Sequence, residues 1–376
     1  MAPPAPAPAA RLVSLDVFRG GAIAAMILVN NAGDGKAVYP PLLHAGWHGW
    51  TFTDIIFPSF LWIVGVAMTL SFARRVGRGD GRGKLFLHAA RRSAKIFALG
   101  LFLNAFPDFR LETLRIPGVL QRIAVCYLAA SAIFLLSPLR GQITALVCLL
   151  ASYWALMKLV PVPGYGAGVL GQQGNFAQWI DSLVLSGHMY GPAKIYDPEG
   201  IVSTLPAIAT VLFGILCGHL LRAPQSAAAK SAWMFVSGNA LVFLGMTLDH
   251  WLPINKNLRT TSFSVFMAGI AFIAFGLCYW LIDACGWWRW TKPAVVFGAN
   301  AITVYALSGV LAKGLSEIRW TGAEGQAAAL RSWIYDSWFA PLASPVDASL
   351  LYAAANVLVL YWVAWAMHRR GWIVRL

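Results

Sequence analysis

The sequence predicts an all-α polytopic membrane protein, a single bundle of about ten transmembrane helices with both termini cytoplasmic, and three observations predict it. First, 59% of its 376 residues are hydrophobic and only 12% are charged, with a mean hydropathy of +0.64. Soluble domains carry about 25% charged residues, so half the charge that a water-facing surface needs is missing and lipid is the solvent. Second, the apolar residues form uninterrupted stretches of about 20, the length that crosses a ~30 Å hydrocarbon core as a helix. Transmembrane strands would instead alternate over stretches of about ten. Third, the net charge of +14 is gathered in the connections between those stretches. That pattern is a topology signal, and it excludes a nucleic-acid partner, which would need a basic face on a helix or sheet.

Taken in order, spans are expected at about 15–33, 53–73, 86–106, 117–137, 141–160, 201–221, 231–250, 261–283, 294–315 and 348–367. Residues 1–12, MAPPAPAPAARL, lack a basic region ahead of an apolar core and read as a disordered Pro/Ala-rich tail rather than a signal peptide. Residues 13–376 read as one transmembrane domain. The connection after the second span carries Arg74, Arg75, Arg78, Arg82 and Lys84, and Arg11, Arg140, Arg222, Lys230, Lys292, Arg369 and Arg375 fall on the same side. Lys and Arg stay on the cytoplasmic side, so the connections holding most of the acids face outward. Within the basic connection, GRGDGRGKL (77–85) resembles a P-loop, but Arg78 stands where Gly is required and Leu85 where Ser or Thr is required. It reads as a loop facing anionic lipid. The five cysteines are isolated, with no CxxC spacing, and read as structural thiols. Two outward connections, 161–200 and 316–347, are too long to be turns, and the second holds an amphipathic stretch, AALRSWIYDSWF, suited to the membrane interface. Function is therefore expected on the outward face.

Polar groups at membrane depth are costly and are candidates for function. Asp16 and Arg19 stand three apart on the first span and are expected to pair. Asn30, at the outer end of that span, is either a helix cap or an amide for a substrate carbonyl. The loop HAGWHGWTFTD sets His44 and His48 beside Trp47 and Trp50, with Asp54 following at the start of the second span. A histidine suits acid–base work near neutrality, and a carboxylate can orient its ring. Gln121 and Arg122 lie in the outer third of the fourth span, where Arg122 can snorkel, pair with Asp54 or Asp108, or meet an anionic ligand. Asp197 and Glu199 precede the sixth span, where acids favour a helix N-terminus. PINKNLRTTSF brings Asn255, Lys256, Asn257 and Arg259 to the entrance of the eighth span, a polar mouth suited to a sugar or a pyrophosphate. Asn300 is a buried amide of the kind that bonds helix to helix. No GxSxG or HExxH occurs, and no helical histidine pair suggests a metal.

Six blocks in order, RLVSLDVFRGGAIAAMILVNNAG, HAGWHGWTFTDIIFPSFLWIVGVAM, IPGVLQRIAVCY, YDPEGIVSTLPAIATVLFG, PINKNLRTTSFSVFMAG and FGANAITVYALS, resemble the bacterial branch of the transmembrane acyltransferases related to heparan-α-glucosaminide N-acetyltransferase. The resemblance implies transfer of an acetyl group from cytoplasmic acetyl-CoA, a co-substrate, to the amine of a glucosamine-type sugar outside the bacterial inner membrane. It implies an active-site histidine at His44 and a companion asparagine at Asn30, with Asp54 as third member. Arg122, Gln121, Asn255, Lys256, Asn257, Glu199 and Asn300 are then expected to contact CoA or acceptor. Animal members carry lumenal sequence ahead of the stretch matching Arg11, so a small amino sugar or cell-wall fragment is the expected acceptor here. Related proteins suggest a homodimer. Whether His44 acts as base or carries the acetyl group stays open, and a secondary transporter of N-acetylglucosamine or related sugars is the alternative.

Overall fold

The computed structural model describes residues 12–191, 195–321 and 327–374. The expected tail, apart from Leu12, lies outside the described residues, as do Arg11 and Arg375. In chain order the helices are α1 (Val13–Asn30), α2 (Phe52–Val76), α3 (Arg82–Ala105), α4 (Val119–Leu136), α5 (Leu139–Leu159), α6 (Phe176–Val184), α7 (Thr204–Arg222), α8 (Ala227–Asp249), α9 (Thr261–Tyr279), α10 (Lys292–Ala299), α11 (Ala301–Glu317), α12 (Leu330–Ile334) and α13 (Pro345–Arg369). A hairpin of two three-residue strands, β1 (Arg319–Thr321) and β2 (Ala327–Ala329), pairs antiparallel with Arg319 opposite Ala329.

Every stretch expected to span is helical. Among the described residues, eight helices are long and apolar enough to cross a membrane, and α10 with α11, bent by 68°, makes up to nine. The remaining expected span, α3, has 24 residues, about 36 Å at ~1.5 Å per residue. Its Arg82, Lys84, Arg91, Arg92 and Lys95 make it much less apolar than the rest.

Helices α2, α7 and α9 form the centre: about two thirds of the apolar stretch is buried in each, against 22% in α8 and α13. The periphery thus turns its apolar side chains to lipid. At the α2–α7 crossing the backbones touch through Gly65 and Gly214. A Cβ on Gly214 would lie 2.0 Å from the Trp62 carbonyl oxygen, and one on Gly65 2.0 Å from that of Val211. Small residues allow this approach, which is how helices associate where lipid removes the hydrophobic drive. Trp62 is fully buried and meets Phe18, Phe272 and Phe275 at ring distances of 5.2–6.1 Å.

The Asp16–Arg19 pair forms at 3.3 Å, and Arg19 also donates to the Gly298 carbonyl. All five cysteines are free, with Cys126 and Cys217 buried. AALRSWIYDSWF (328–339) forms no long amphipathic helix: it begins in β2 and continues as the short α12 and a π turn, Tyr335–Phe339, whose Tyr335 packs inward on Tyr352 while Trp338 is exposed.

Candidate active site at one end of the bundle

The α1–α2 connection, residues 31–51, lies at the end of the bundle where α1 finishes and α2 begins. Its last turn is built around Asp54. That carboxylate occupies the third position of α2 and closes a capping box with Thr51. Its Oδ2 accepts from the backbone N–H of Thr51 (3.0 Å) and of Ala45 (3.1 Å), which bends the chain back over the helix start. The other oxygen, Oδ1, lies 2.7 Å from His44 Nδ1. A carboxylate only accepts, so Nδ1 carries the proton and the Nε2 lone pair is left for chemistry. Asp54 is buried while the His44 side chain is half exposed, so an anchored carboxylate holds a reachable imidazole.

The connection from Pro253 to Thr260 completes the site. Gly49 donates to the Ile254 carbonyl at 2.7 Å, and Asn255 Nδ2 stands 3.3 Å from His48 Nδ1. Asn255 also accepts from the Leu258 N–H through its side chain, and the Tyr153 hydroxyl on α5 donates to the Leu258 carbonyl. With the segment so held, Lys256 Nζ is 3.2 Å from both ring nitrogens of His44 and 4.0 Å from Asp54 Oδ1. An in-plane approach equidistant from both nitrogens would collide with the Cε1–H between them, so the ammonium stands over the ring face. Burial pushes the Lys256 pKa below its ordinary value, against the pull of Glu199 and Asp54. Trp47 and Trp50 anchor the histidine loop, the first by donating to the Leu170 carbonyl and packing on Tyr196, the second by packing on Phe266.

Behind Lys256 runs a chain of alternating charge. Arg115 donates to both oxygens of Asp197 (2.9 and 2.6 Å) and to Glu199 (2.6 Å), and stacks 4.7 Å from the Tyr190 ring centre. Burial pushes the Glu199 carboxyl up, but Arg115, Arg122 and Lys256 outweigh it and hold it below its usual range. The sequence suggested that Asp197 and Glu199 serve the helix N-terminus; they are instead the partners of Arg115, 82 and 84 positions away, and no spacing pattern signals that. Arg122 pairs with neither Asp54 nor Asp108. It is buried and donates to the carbonyls of Gly200 and Ser203 and to the Ser203 hydroxyl. Helix α6 supports the same segment: Asp181 accepts from the Ile201 N–H at 2.8 Å, and burial raises its pKa to about 7.

The other expected residues fall less close together. Asn30 is exposed at the end of α1, and no hydrogen bond joins it to His44 or Asp54; its buried neighbour Asn31 bonds the Ile27 carbonyl and Ser308. Gln121 is buried against Gly100 and Gly118, and Asn257 is half-buried. Asn300 sits at the α10–α11 bend, and both ends of its amide bind the returning C-terminal segment, the Trp372 carbonyl at 3.0 Å and the Val374 N–H at 3.0 Å. A cavity of about 830 Å³ opens beside the histidine loop, lined by His48, Trp50, Phe243, Ile254 and Phe266. No group of three or more His, Cys, Asp or Glu able to hold a metal occurs among the described residues.

The fold and the site together define a polytopic membrane protein whose bundle carries, at one end, a carboxylate-oriented histidine with a cation over it. The family described as heparan-alpha-glucosaminide N-acetyltransferase, catalytic, matches residues 11–254, and the chain belongs to that family. It is similar to the heparan-alpha-glucosaminide N-acetyltransferase of Homo sapiens, 30% identical over 350 residues that take in 78% of this chain and 52% of the human protein. The Mus musculus protein of the same name is 29% identical over 350 residues, 78% of this chain and 53% of its own length. The chain thus spans about half the length of these relatives. The family match takes in His44, Asp54, Arg115 and Glu199 and stops just short of Lys256.

Proposed function

We propose that the protein is a transmembrane N-acetyltransferase that moves the acetyl group of acetyl-CoA to the amine of a glucosamine-type sugar. The observation that carries this reading is the 2.7 Å contact between His44 Nδ1 and the buried Asp54, which leaves Nε2 as a base within an exposed loop. In this reaction the amine nitrogen attacks the thioester carbonyl while His44 Nε2 takes its proton. The C–S bond then breaks and the proton passes to the departing sulfur, leaving the amide and free CoA. The Lys256 ammonium faces the charge that gathers on the carbonyl oxygen, and the Asn30 amide serves the same oxygen or the CoA arm. Gln121, Arg122, Asn255, Asn257, Glu199 and Asn300 shape or line the donor and acceptor paths, Asn255 and Arg122 by holding the segments that carry Lys256 and Glu199. The charge asymmetry of the connections supports an inner-membrane protein that takes acetyl-CoA from the cytoplasm and reacts on the far side, and a homodimer is the expected assembly. The acceptor is a small amino sugar or a glucosamine-terminated fragment.

The test is thiol release from acetyl-CoA by the purified protein with and without glucosamine. Acceptor-dependent release supports the reading; intact protein that binds acetyl-CoA and releases no thiol with any amino sugar contradicts it. The 68° break at Asn300 favours a second reading, since broken helices mark the binding sites of secondary transporters. Counterflow of labelled N-acetylglucosamine into proteoliposomes without acetyl-CoA would establish that reading.

A further inference from the structure

No step of the reaction uses the cavity of about 830 Å³ beside the histidine loop, and its lining changes character with depth. It opens along α8, a peripheral helix with only 22% of its apolar stretch buried. Phe243 and Met246 form its deeper part and are exposed on α8, where the surroundings are lipid. Asp249 ends that helix six residues beyond Phe243, about 9 Å nearer the rim of the bundle at ~1.5 Å per residue. At the rim stand His48, Trp50, Asp249 and Trp251, with both tryptophans exposed and Trp50 backed by Phe266 at a ring distance of 5.0 Å.

The polar groups of the rim have defined hydrogen-bonding roles. Asn255 accepts from the Leu258 N–H through Oδ1 at 2.8 Å, so Nδ2 is its donor, and His48 Nδ1, 3.3 Å away, accepts. The His48 proton is therefore on Nε2, the opposite tautomer to His44, and Nε2–H is a donor. Asp249 accepts from the Ile254 N–H through Oδ1, and among the described residues no group donates to Oδ2. Aromatic faces with one donor and one acceptor beside them match a pyranose, which carries C–H groups on its faces and hydroxyls at its edge. No Lys or Arg is among the lining residues. A diphosphate or a polyanionic glycan thus finds no counter-charge, whereas the Asp249 carboxylate suits the ammonium of an incoming amino sugar. The cavity is continuous with the site, because Asn255, which holds His48, precedes the Lys256 that stands over His44.

We propose that this cavity receives the acceptor and that the acceptor is a lipid-linked amino sugar, with its sugar among His48, Trp50, Asp249 and Trp251 and its hydrocarbon chain along Phe243 and Met246. Such a molecule arrives sideways from the bilayer, its chain already at the depth of Phe243 and its sugar at the depth of the site. That the occupant is an acceptor rests on the transferase reading above; that it is an amphiphilic amino sugar rests on the lining.

The experiment is equilibrium binding of dodecyl and methyl glucosaminide to the full chain in lipid nanodiscs, without acetyl-CoA. The bilayer concentrates any dodecyl chain, so the quantity read is how the dodecyl-to-methyl affinity ratio changes in Met246→Trp, which fills the deeper part. The expected change is a fall of ~10-fold, the worth of about two methylenes. In wild-type crystals soaked with a glucosaminide brominated at the chain end, an anomalous peak is expected beside Phe243 and Met246, and this readout stands even if the variant does not fold. The same ratio in both proteins, or no bromine peak in the cavity, overturns the proposal. Dodecanol bound as tightly as dodecyl glucosaminide also overturns it, and assigns the cavity to bulk lipid. Binding is read without turnover, so the two readings fail separately: chain-dependent binding by a protein that releases no thiol removes the transferase and leaves the site, and acetylation of glucosamine with an unchanged ratio does the reverse.

Discussion

Asp54 performs two tasks with two oxygens: Oδ2 closes the start of α2 and Oδ1 fixes the imidazole of His44. An asparagine has one acceptor and one donor and serves only one of them. Asp54→Asn is therefore expected to lower kcat by ~10²–10⁴-fold and to cost about 1 kcal/mol of stability through the cap; unchanged turnover in a variant with the expected loss of stability would remove Asp54 from the site. Lys256→Met keeps the stem and removes the cation over the ring, with an expected loss of ~10²-fold in kcat. A rise in KM alone would assign Lys256 to binding instead. Asp181 contributes a pH dependence to stability. Its folded carboxyl titrates at about 7 against an ordinary 3.8, so the folded chain binds more protons across that interval. Its contribution to stability is full below the lower value and is lost as pH rises through the upper one. Asp181→Asn, which retains an acceptor for the Ile201 N–H, is expected to be more stable than wild type at pH 8 and to flatten the fall in Tm between pH 4 and 7, as a melting series would record. At this scale the sequence displays types and places but not distances. His44, Asp54 and Lys256 are each legible as polar groups at a membrane rim, yet the contact between His44 and Lys256 joins residues 212 positions apart. Arg259 is buried yet looks in sequence like any basic loop residue, because nothing local says that its loop turns inward.

Elements were far more legible than contacts, because twenty apolar residues in a row permit only one structure in lipid. The expected spans therefore coincide with helices. The exception in shape is the ninth, FGANAITVY, which reads as continuous but breaks by 68° between α10 and α11. The cause is tertiary: Asn300 bonds Trp372 and Val374 from the far end of the chain. Close helix approach has a local signal, glycine, but not a partner. Gly214→Val places a branched side chain where even a Cβ would lie 2.0 Å from the Trp62 carbonyl oxygen. Backbone on backbone cannot yield by rotating a side chain, so the α2–α7 crossing must open, at an expected ~1–3 kcal/mol or more. The same substitution at Gly309, which meets nothing within 4 Å, is the control, and equal melting of the two variants would contradict the packing described.

For the whole molecule, composition alone identifies the solvent. The scarcity of charge requires lipid, and the folded chain meets the requirement by burying α2, α7 and α9 and leaving Phe243 on α8 and Trp362 on α13 exposed. The polar groups of the candidate site converge at one end, where the α1–α2 connection, the Pro253–Thr260 segment and the segment before α7 meet. That convergence was not legible, since each of the three segments reads separately as an ordinary connection; only the family blocks linked them in advance. The most direct test is formation of labelled N-acetylglucosamine from labelled acetyl-CoA and glucosamine by the purified protein, beside a His44→Ala variant shown to melt like wild type. Product from wild type and a loss of at least ~10²-fold in the variant is the predicted result. Equal product from both, or none from wild type that binds both substrates, would contradict the account.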